Sequence, residues 1–315
     1  MTKHTMQALT QDILGGPEVL SLTEQTRPDP GPSEVLVRVR ATGLSPADWV
    51  HRRVPGFLGD GPKVLGWDVS GIIEEVGLGV TIHKPGDEVF GMLPYPHGHG
   101  AAAEFVVSPA RHLTPKPANI DHEAAAAVPL AALTAWQALV DTADVRPGQR
   151  VLIHSAAGGV GHLAVQIAKA RGAYVIGTAS ASNHELVRSL GADEVIDYTR
   201  DDFSTIAHDI DAVLDTIGGD YIPRSLRTLR PGGGVIVSIA LNKATDHRAE
   251  ASAIGARHEL MLVEGDQAGM QAIAALIRAG SLRPAIAATY PLQHADRAHE
   301  LGETGHVAGK IVLTV

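Results

Sequence analysis

Residues 151–170, VLIHSAAGGVGHLAVQIAKA, limit the possible folds more than any other stretch of the chain. A short apolar run stops at His154 and Ser155, small residues with Gly158, Gly159 and Gly161 follow, and apolar positions then recur at helical spacing. Ala156-Ala157-Gly158-Gly159-Val160-Gly161 fits G-x-G-x-x-G with Ala in the first place. Between a strand and a helix, this spacing forms a turn whose main chain can grip a diphosphate. Gly158 lets the backbone approach the pyrophosphate, and Gly161 lets the helix sit close to the sheet. Amides at the helix start, aided by the helix dipole, supply the donors.

The surroundings of this turn repeat its pattern. RVLIHS leads to a helix over about 160–171, YVIGTAS to one over about 183–190, and EVIDY, AVLDTI and GVIVSIA read as later strands, with a helix over about 221–229. ELMLVEG reads as a sixth strand and QAGMQAIAALIRAG as the helix after it. Such alternation predicts a parallel sheet covered on both faces. The first third differs. In EVLVRVRATG, Val35, Val37 and Val39 alternate with Arg38 and Arg40, the period of a half-buried strand. DVSGIIEEVG and DEVFGM read as further strands between Gly/Pro-rich turns, which suits a mostly antiparallel β domain. Near residue 120 the texture turns to Ala and Leu, with Asp121 placed as an N-cap. GKIVLTV, an apolar strand with no helix after it, is expected to return to the first domain. We therefore expect two domains: 1–120 completed by 283–315, and 121–282.

Composition narrows the functional classes. At 315 residues the chain is long for one core. It has no cysteine, which excludes disulfides, a catalytic thiol and thiolate metal sites and agrees with a reducing compartment. A net charge of −9 works against general nucleic-acid binding, which needs clustered Lys and Arg. No apolar run approaches the ~20 residues that span a bilayer, and the N-terminal segment reads as no secretory signal. A cytoplasmic protein with no nucleic-acid or membrane partner is expected.

The end of the second strand bears on the choice of dinucleotide. An NAD site usually carries Asp or Glu there. Here no acid occurs between Arg171 and Glu185; Thr178, Ser180, Ser182 and Asn183 stand in its place, with Arg188 further along the next helix. Hydroxyls and an amide can hydrogen-bond a 2′-phosphate without repelling it, which favours NADPH. Ser180 and Asn183 could equally cap the following helix.

VLVRVRATGLSPADW, VLGWDVSGIIEEVG, KPGDEVFGM, AAAEFVV, AAAVPLAALTAWQAL, SLGADEVIDY, LRPGGGVIVSI and GKIVLTV, together with the glycine-rich stretch, appear along the whole chain in an order that resembles the zinc-independent branch of the medium-chain dehydrogenase/reductase superfamily, and within it the NADPH:quinone oxidoreductase (zeta-crystallin-like) group. The resemblance implies an α/β protein with a GroES-like, mostly β substrate domain, a Rossmann domain with a doubly wound parallel sheet, and an active site in the cleft between them. It implies a homodimer in which the last Rossmann strands, around Glu259 and Glu264, pair edge to edge. It places Thr134 on the nicotinamide side and Gly158, Gly159 and Val160 at the pyrophosphate. Ser180 and Asn183 would meet the 2′-phosphate, Tyr198 the adenosine end, and the backbone around Ile217, Ser238, Ile239 and Ala240 the ribose and carboxamide.

Zinc-dependent members of the superfamily hold a catalytic metal with Cys and His. Here the cysteine position reads Ser45 and the histidine position Trp67, and the four-cysteine lobe is missing, so no metal is expected and Asp68 is read as organising the cleft by hydrogen bonds. His97 and His99, in HGHG, read as a surface loop. Without a metal, a hydride adds to a conjugated carbonyl and donors must face the oxygen that becomes anionic. Ser45 is the first candidate, although the quinone reductase pattern usually has Asn there. Enoyl reductases of the superfamily often carry a Tyr a little further on, where this chain has Phe57. The proton donor stays open among His51, Arg53, Tyr95 and water. The leading expectation is NADPH-dependent, metal-free reduction of quinones or related α,β-unsaturated carbonyl compounds. The alternatives are an enoyl or 2-alkenal reductase of a biosynthetic pathway and a non-catalytic, crystallin-like NADPH-binding protein.

Overall fold

A computed structural model of the chain describes residues 4–54, 63–97, 100–241, 243 and 245–315. By their internal contacts these fall into two units, Met1–Leu133 with Glu264–Val315, and Thr134–Val263.

The second unit is the strand–helix alternation made solid. Its six strands lie in the spatial order Glu194–Asp197, Tyr174–Ala179, Arg150–Ile153, Ala212–Asp215, Val235–Ser238 and Arg257–Leu260, all parallel. In chain order that is 3-2-1-4-5-6, the doubly wound arrangement in which strand order reverses beside the first strand. Val151, Leu152 and Ile153 are fully buried, as expected where helices cover both faces. One apolar cluster joins Leu152, Ile176, Phe203, Val213, Ile222 and Ile236. The helices are shorter than the sequence suggested: Gly161–Ala170, His184–Ser189 and Tyr221–Leu226. The sixth strand ends at Leu260, because residues 261–266 take no regular structure.

The first unit is mostly antiparallel. One sheet runs in the order Ile286–Pro291, Lys310–Thr314, Glu34–Leu44, Asp68–Val76, Glu88–Met92 and Leu113–Pro115, with Phe105–Pro109 also paired to Glu34–Leu44. Strand Lys310–Thr314 lies antiparallel to Glu34–Leu44, Ile311 opposite Leu44 and Leu313 opposite Thr42. The late strand is held here because Ile311, Val312 and Leu313 are buried in the unit's core. A smaller sheet joins Thr5–Gln11 with Ser21–Thr26 and Lys63–Val64. In the Ala-rich stretch Asp121 accepts a hydrogen bond from the Ala124 amide at 2.8 Å and caps helix His122–Ala126. Helix Pro129–Trp136 then begins on a proline, which has no amide hydrogen to leave unpaired.

Candidate active site

Because every strand of the second unit runs the same way, the loops after them gather along one edge of the sheet, where ligands of such folds bind. The first of these loops follows Ile153. Ser155 adopts φ 49°, a left-handed conformation uncommon for a residue with a side chain, and its amide donates to Thr178 Oγ1 at 3.2 Å. The Ala156 amide donates to the Thr178 carbonyl at 2.9 Å. Helix Gly161–Ala170 starts directly against this turn: a Cβ on Gly161 would overlap the Ser155 carbonyl oxygen and stand 2.8 Å from Ala156 Cα. The amide of Gly158 is spent on the Ser155 carbonyl, and among the described residues no acceptor meets those of Gly159, Val160 and Gly161. Half-buried Gly159 and Val160, with buried Gly161, thus present unspent amides at the positive end of a ten-residue helix, while Gly158 shapes the turn. That donor set fits a diphosphate.

At the next strand end, Asn183 Nδ2 donates to Ser180 Oγ at 3.2 Å, and Ser180 Oγ lies 3.1 Å from Ser182 Oγ. These three side chains form a small polar knot ahead of helix His184–Ser189, on which Arg188 is exposed. Thr178 does not belong with them. It is buried, and its hydroxyl holds the start of the glycine loop instead. Tyr198, just past the third strand, is exposed. Ile217, Ile239 and Ala240 are half-buried beyond the fourth and fifth strands. The amides of Ile217 and Ile239 are committed to Asp215, at its Oδ1 and its carbonyl oxygen, each at 3.0 Å, so these two can offer a ligand only carbonyls and side chains. Ser238 is buried, its hydroxyl 2.8 Å from Asp215 Oδ2 and 3.0 Å from His258 Nε2. Burial holds His258 below the usual imidazole range. Thr134 is buried on helix Pro129–Trp136. His154, which ends the apolar run in the sequence, is fully buried between Phe203 and Tyr221 with Nε2 2.9 Å from Ser225 Oγ. Burial lowers its pKa to about 4, so it is a neutral core residue.

In the first unit, Ser45 and Asp68 fall into one buried polar cluster that the sequence reading saw only in part. Helix Pro46–Arg53 begins at Ser45. Asp48 Oδ2 accepts from the Ser45 amide at 2.7 Å and from its hydroxyl at 3.1 Å. The other oxygen, Asp48 Oδ1, is buried with no hydrogen-bond partner. Burial pushes the Asp48 carboxyl up to about 6, with Lys310 pulling it down and Asp68 pushing it up. Asp68 is itself buried, and both of its oxygens are engaged, Oδ2 by Lys310 Nζ at 3.0 Å and Oδ1 by the Leu130 amide at 2.5 Å. Thr42 Oγ1 donates to the Asp68 carbonyl at 2.7 Å. Burial raises the Asp68 carboxyl against the pull of Lys310. Around the cluster, the His51 and Trp67 rings are 5.0 Å apart and the Trp67 and Tyr95 rings 5.3 Å. Tyr95 is raised by its burial and by the charge of Asp48. Arg53 points elsewhere, paired with Glu303. Asp48 had a local signal, Ser-x-x-Asp, the spacing of a capping box. Lys310 had none.

The residues present do not fit a catalytic zinc. A tetrahedral site needs nitrogen, sulfur or carboxylate ligands. Here the corresponding positions are the Ser45 hydroxyl, buried Trp67, and Asp68 already bound by an ammonium and an amide. His97 is exposed, and His99, like Phe57, lies outside the described residues. Among the described residues no group of three or more His, Cys, Asp or Glu could hold a metal ion, and no helix is long and apolar enough to cross a membrane.

Comparison with known proteins agrees with both halves of this description. Residues 31–118 match the alcohol dehydrogenase GroES-like domain, and residues 190–313 match a family described as zinc-binding dehydrogenase. The chain is 33% identical to the mitochondrial NAD(P)H oxidoreductase RTN4IP1 of Danio rerio, over 90% of this chain and 84% of the relative. It is 33% identical to a 2-haloacrylate reductase of Burkholderia sp, over 95% and 96%. The solved quinone oxidoreductase of Coxiella burnetii superposes with a TM-score of 0.93 at 36% identity, covering 99% of this chain and all of that one. The mitochondrial relative overturns the expectation of a cytoplasmic protein. A chain without cysteine suits any reducing compartment, and composition does not say which. A doubly wound sheet with an amide-lined glycine loop, a GroES-like partner unit and these relatives together place the chain in the medium-chain dehydrogenase/reductase superfamily, in the zinc-independent branch that resembles quinone oxidoreductases, as an NAD(P)H-dependent oxidoreductase.

Proposed function

We propose that the protein uses NADPH rather than NADH and reduces quinones or related α,β-unsaturated carbonyl compounds. The observation that carries the cofactor choice is the end of strand Tyr174–Ala179, where Ser180, Ser182 and Asn183 form a polar knot and no carboxylate stands to bind a ribose 2′-hydroxyl or repel a 2′-phosphate. Asn183 carries a second N–H on the nitrogen that bonds Ser180, and exposed Arg188 adds positive charge nearby in sequence. Gly158, Gly159 and Val160 would hold the diphosphate, with Tyr198 at the adenosine and the carbonyls near Ile217, Ser238, Ile239 and Ala240, together with Thr134, at the nicotinamide. When bound, the reduced nicotinamide supplies the hydride. The chain itself must stabilise the oxygen that becomes anionic, and Ser45, at the start of helix Pro46–Arg53, is the hydroxyl for that task. Asp68 positions the cluster through Lys310 and Leu130 rather than meeting the substrate.

Support for a quinone comes from the Coxiella burnetii structure, and support for a conjugated C=C from the Burkholderia reductase, whose haloacrylate is an α,β-unsaturated acid. The deciding experiment follows oxidation of NADPH and of NADH against a quinone, a 2-alkenal and an enoyl thioester with EDTA present, and identifies the products. NADPH preference with turnover undiminished by EDTA is expected. A preference for NADH, loss of turnover on chelation, or no turnover with any of the three overturns the reading, and preference for the alkenal or thioester selects the second one. We also infer a homodimer. Among the described residues, strand Arg257–Leu260 pairs on one side only, with Val235–Ser238, and an open sheet edge of this kind calls for cover.

A further inference from the structure

Resting on the reading of the protein as a reductase of conjugated carbonyls, we propose that Asp48 is the proton reservoir of the reaction, emptied through the Ser45 hydroxyl onto the oxygen that hydride addition leaves anionic. None of the four donors weighed from the sequence, His51, Arg53, Tyr95 or water, is needed for the step.

Three observations carry this. First, Asp48 is fully buried, whereas Ser45 keeps 5% of its surface exposed, so the carboxyl can act on a substrate only through the hydroxyl it touches. Second, the contact is direct: Ser45 Oγ lies 3.1 Å from Asp48 Oδ2, and the Ser45 amide fixes the same oxygen at 2.7 Å. Third, the charges around the pair favour a neutral Asp48. Lys310 is the cation facing it, and that ammonium already belongs to Asp68 at 3.0 Å. Two buried carboxylates beside one ammonium leave an excess negative charge, which a proton on Asp48 removes. The partnerless Oδ1 fits this state. A buried carboxylate oxygen without a donor is costly, whereas the carbonyl oxygen of a neutral acid carries little charge. Of the other titratable groups nearby, Tyr95 comes from the 93–97 segment and carries no positive charge, His51 on the same helix sets Nδ1 2.8 Å from the Ala47 carbonyl, and from helix Ala295–Glu303 both His299 and Glu303 are occupied with Arg52. An elevated carboxyl of about 6 is consistent with an acid that can be loaded and emptied near neutral pH.

The two states of the pair differ in the direction of one hydrogen bond. With Asp48 ionised, the Ser45 hydroxyl donates to it, as the 3.1 Å contact allows. With Asp48 protonated, Oδ2–H donates to Ser45 Oγ, and the serine proton turns toward the substrate. Reduced nicotinamide, when bound, would supply the hydride of the new C–H bond, which leaves the displaced electron pair on the carbonyl oxygen. That oxygen takes the Ser45 proton, the Oδ2–H bond breaks to restore the serine hydroxyl, and Asp48 is left as a carboxylate. After product leaves, Asp48 regains a proton from water by the same hydroxyl.

The test uses the full-length protein with NADPH and the acceptor that it turns over. In the unaltered protein kcat/KM should level off below about pH 6 and fall tenfold per pH unit above it, because the protonated form is the active one. Asp48→Asn, which keeps the shape and loses the acid, should lower kcat by about 100-fold and abolish that slope, with NADPH affinity unchanged. Ser45→Ala should do the same, Ser45→Thr should keep the slope, and the double variant should be no slower than either single one. Asp48→Asn or Ser45→Ala retaining the slope overturns the relay, as do additive losses in the double variant. Should Asp48→Asn not fold, the Ser45 pair decides by itself. Absence of turnover by the unaltered protein fails the underlying reading, and a missing effect in the variants of an active protein fails the relay alone.

Discussion

Replacing Lys310 with Met tests whether the buried cluster of the first unit is held by charge. Lys310 and Asp68 lie 3.0 Å apart, with side-chain exposures of 3% and 1%, so neither ion can turn to solvent when the other is removed. Breaking such a pair from one side typically costs about 3–5 kcal/mol, because the remaining charge is left buried and uncompensated. Methionine keeps the length of the apolar stem, so little packing is lost with the charge. In a unit of this size each kcal/mol moves the melting temperature by about 2–4 °C, which puts the expected fall at roughly 6–20 °C at pH 7.5. The dependence on pH separates charge from packing. Burial already raises the Asp48 and Asp68 carboxyls; the Ser45 amide and then Lys310 pull Asp48 back, and Lys310 and the Leu130 amide pull Asp68 back. Without Lys310 both rise further, so the folded variant holds protons that the unfolded chain releases. Folding is then favoured as pH falls, and the deficit should shrink between pH 7.5 and 5.5. Thermal melts of both proteins at the two pH values read this directly. A deficit below about 1 kcal/mol, or one that is constant or larger at pH 5.5, refutes the electrostatic account.

Three other outcomes follow from the geometry. Gly161→Ala places a methyl group against the Ser155 carbonyl and 2.8 Å from Ala156 Cα, which must push the helix start off the loop; nucleotide titration should show affinity down by at least about tenfold with the fold retained. Ser180→Asp brings a carboxylate to the polar knot, and the ratio of kcat/KM for NADPH over NADH should fall by about tenfold or more. His299, buried beside Arg52 at 2.7 Å, is pushed down to about 3 by burial and by the guanidinium. Its folded value lies below the unfolded one, so its contribution is whole above about pH 6.5 and is lost as pH falls toward 3; denaturant titrations should show about 2 kcal/mol of it gone by pH 5, and His299→Gln should flatten that part of the profile.

What could be read in the sequence was whatever depends on neighbours along the chain. The glycine turn, the strand–helix alternation behind the parallel sheet, the Asp121 cap and the late strand 310–314 all rest on spacings of a few residues. Thr178 looked like its neighbours Ser180 and Asn183, but strand pairing turns it inward, where it anchors Ser155. Ser238 likewise carries a hydroxyl at a strand end, yet Asp215 and His258 consume it. Lys310 and Asp68 are 242 positions apart and meet only because a late strand is inserted beside an early one, so no local pattern announces them. Asp48 was legible as a cap three residues after Ser45, but its lone oxygen and crowded charges exist only once that cluster has closed. Compartment is not a physical property of the fold at all, and here composition misled.

The pairing of Lys310–Thr314 with Glu34–Leu44 also governs how the protein can emerge from the ribosome. At about 5–20 residues per second, strand Glu34–Leu44 waits roughly 13–53 s for its neighbour to be translated. Through that interval Ala41 and Leu44, later buried, lie on the half of the strand that still lacks its neighbour, whereas Val35, Leu36 and Val37 already have Asp68–Val76 and Phe105–Pro109 beside them. The unit made in between, Thr134–Val263, has all six of its strands well before then and can fold first, so the early segment is the one that a chaperone must shield.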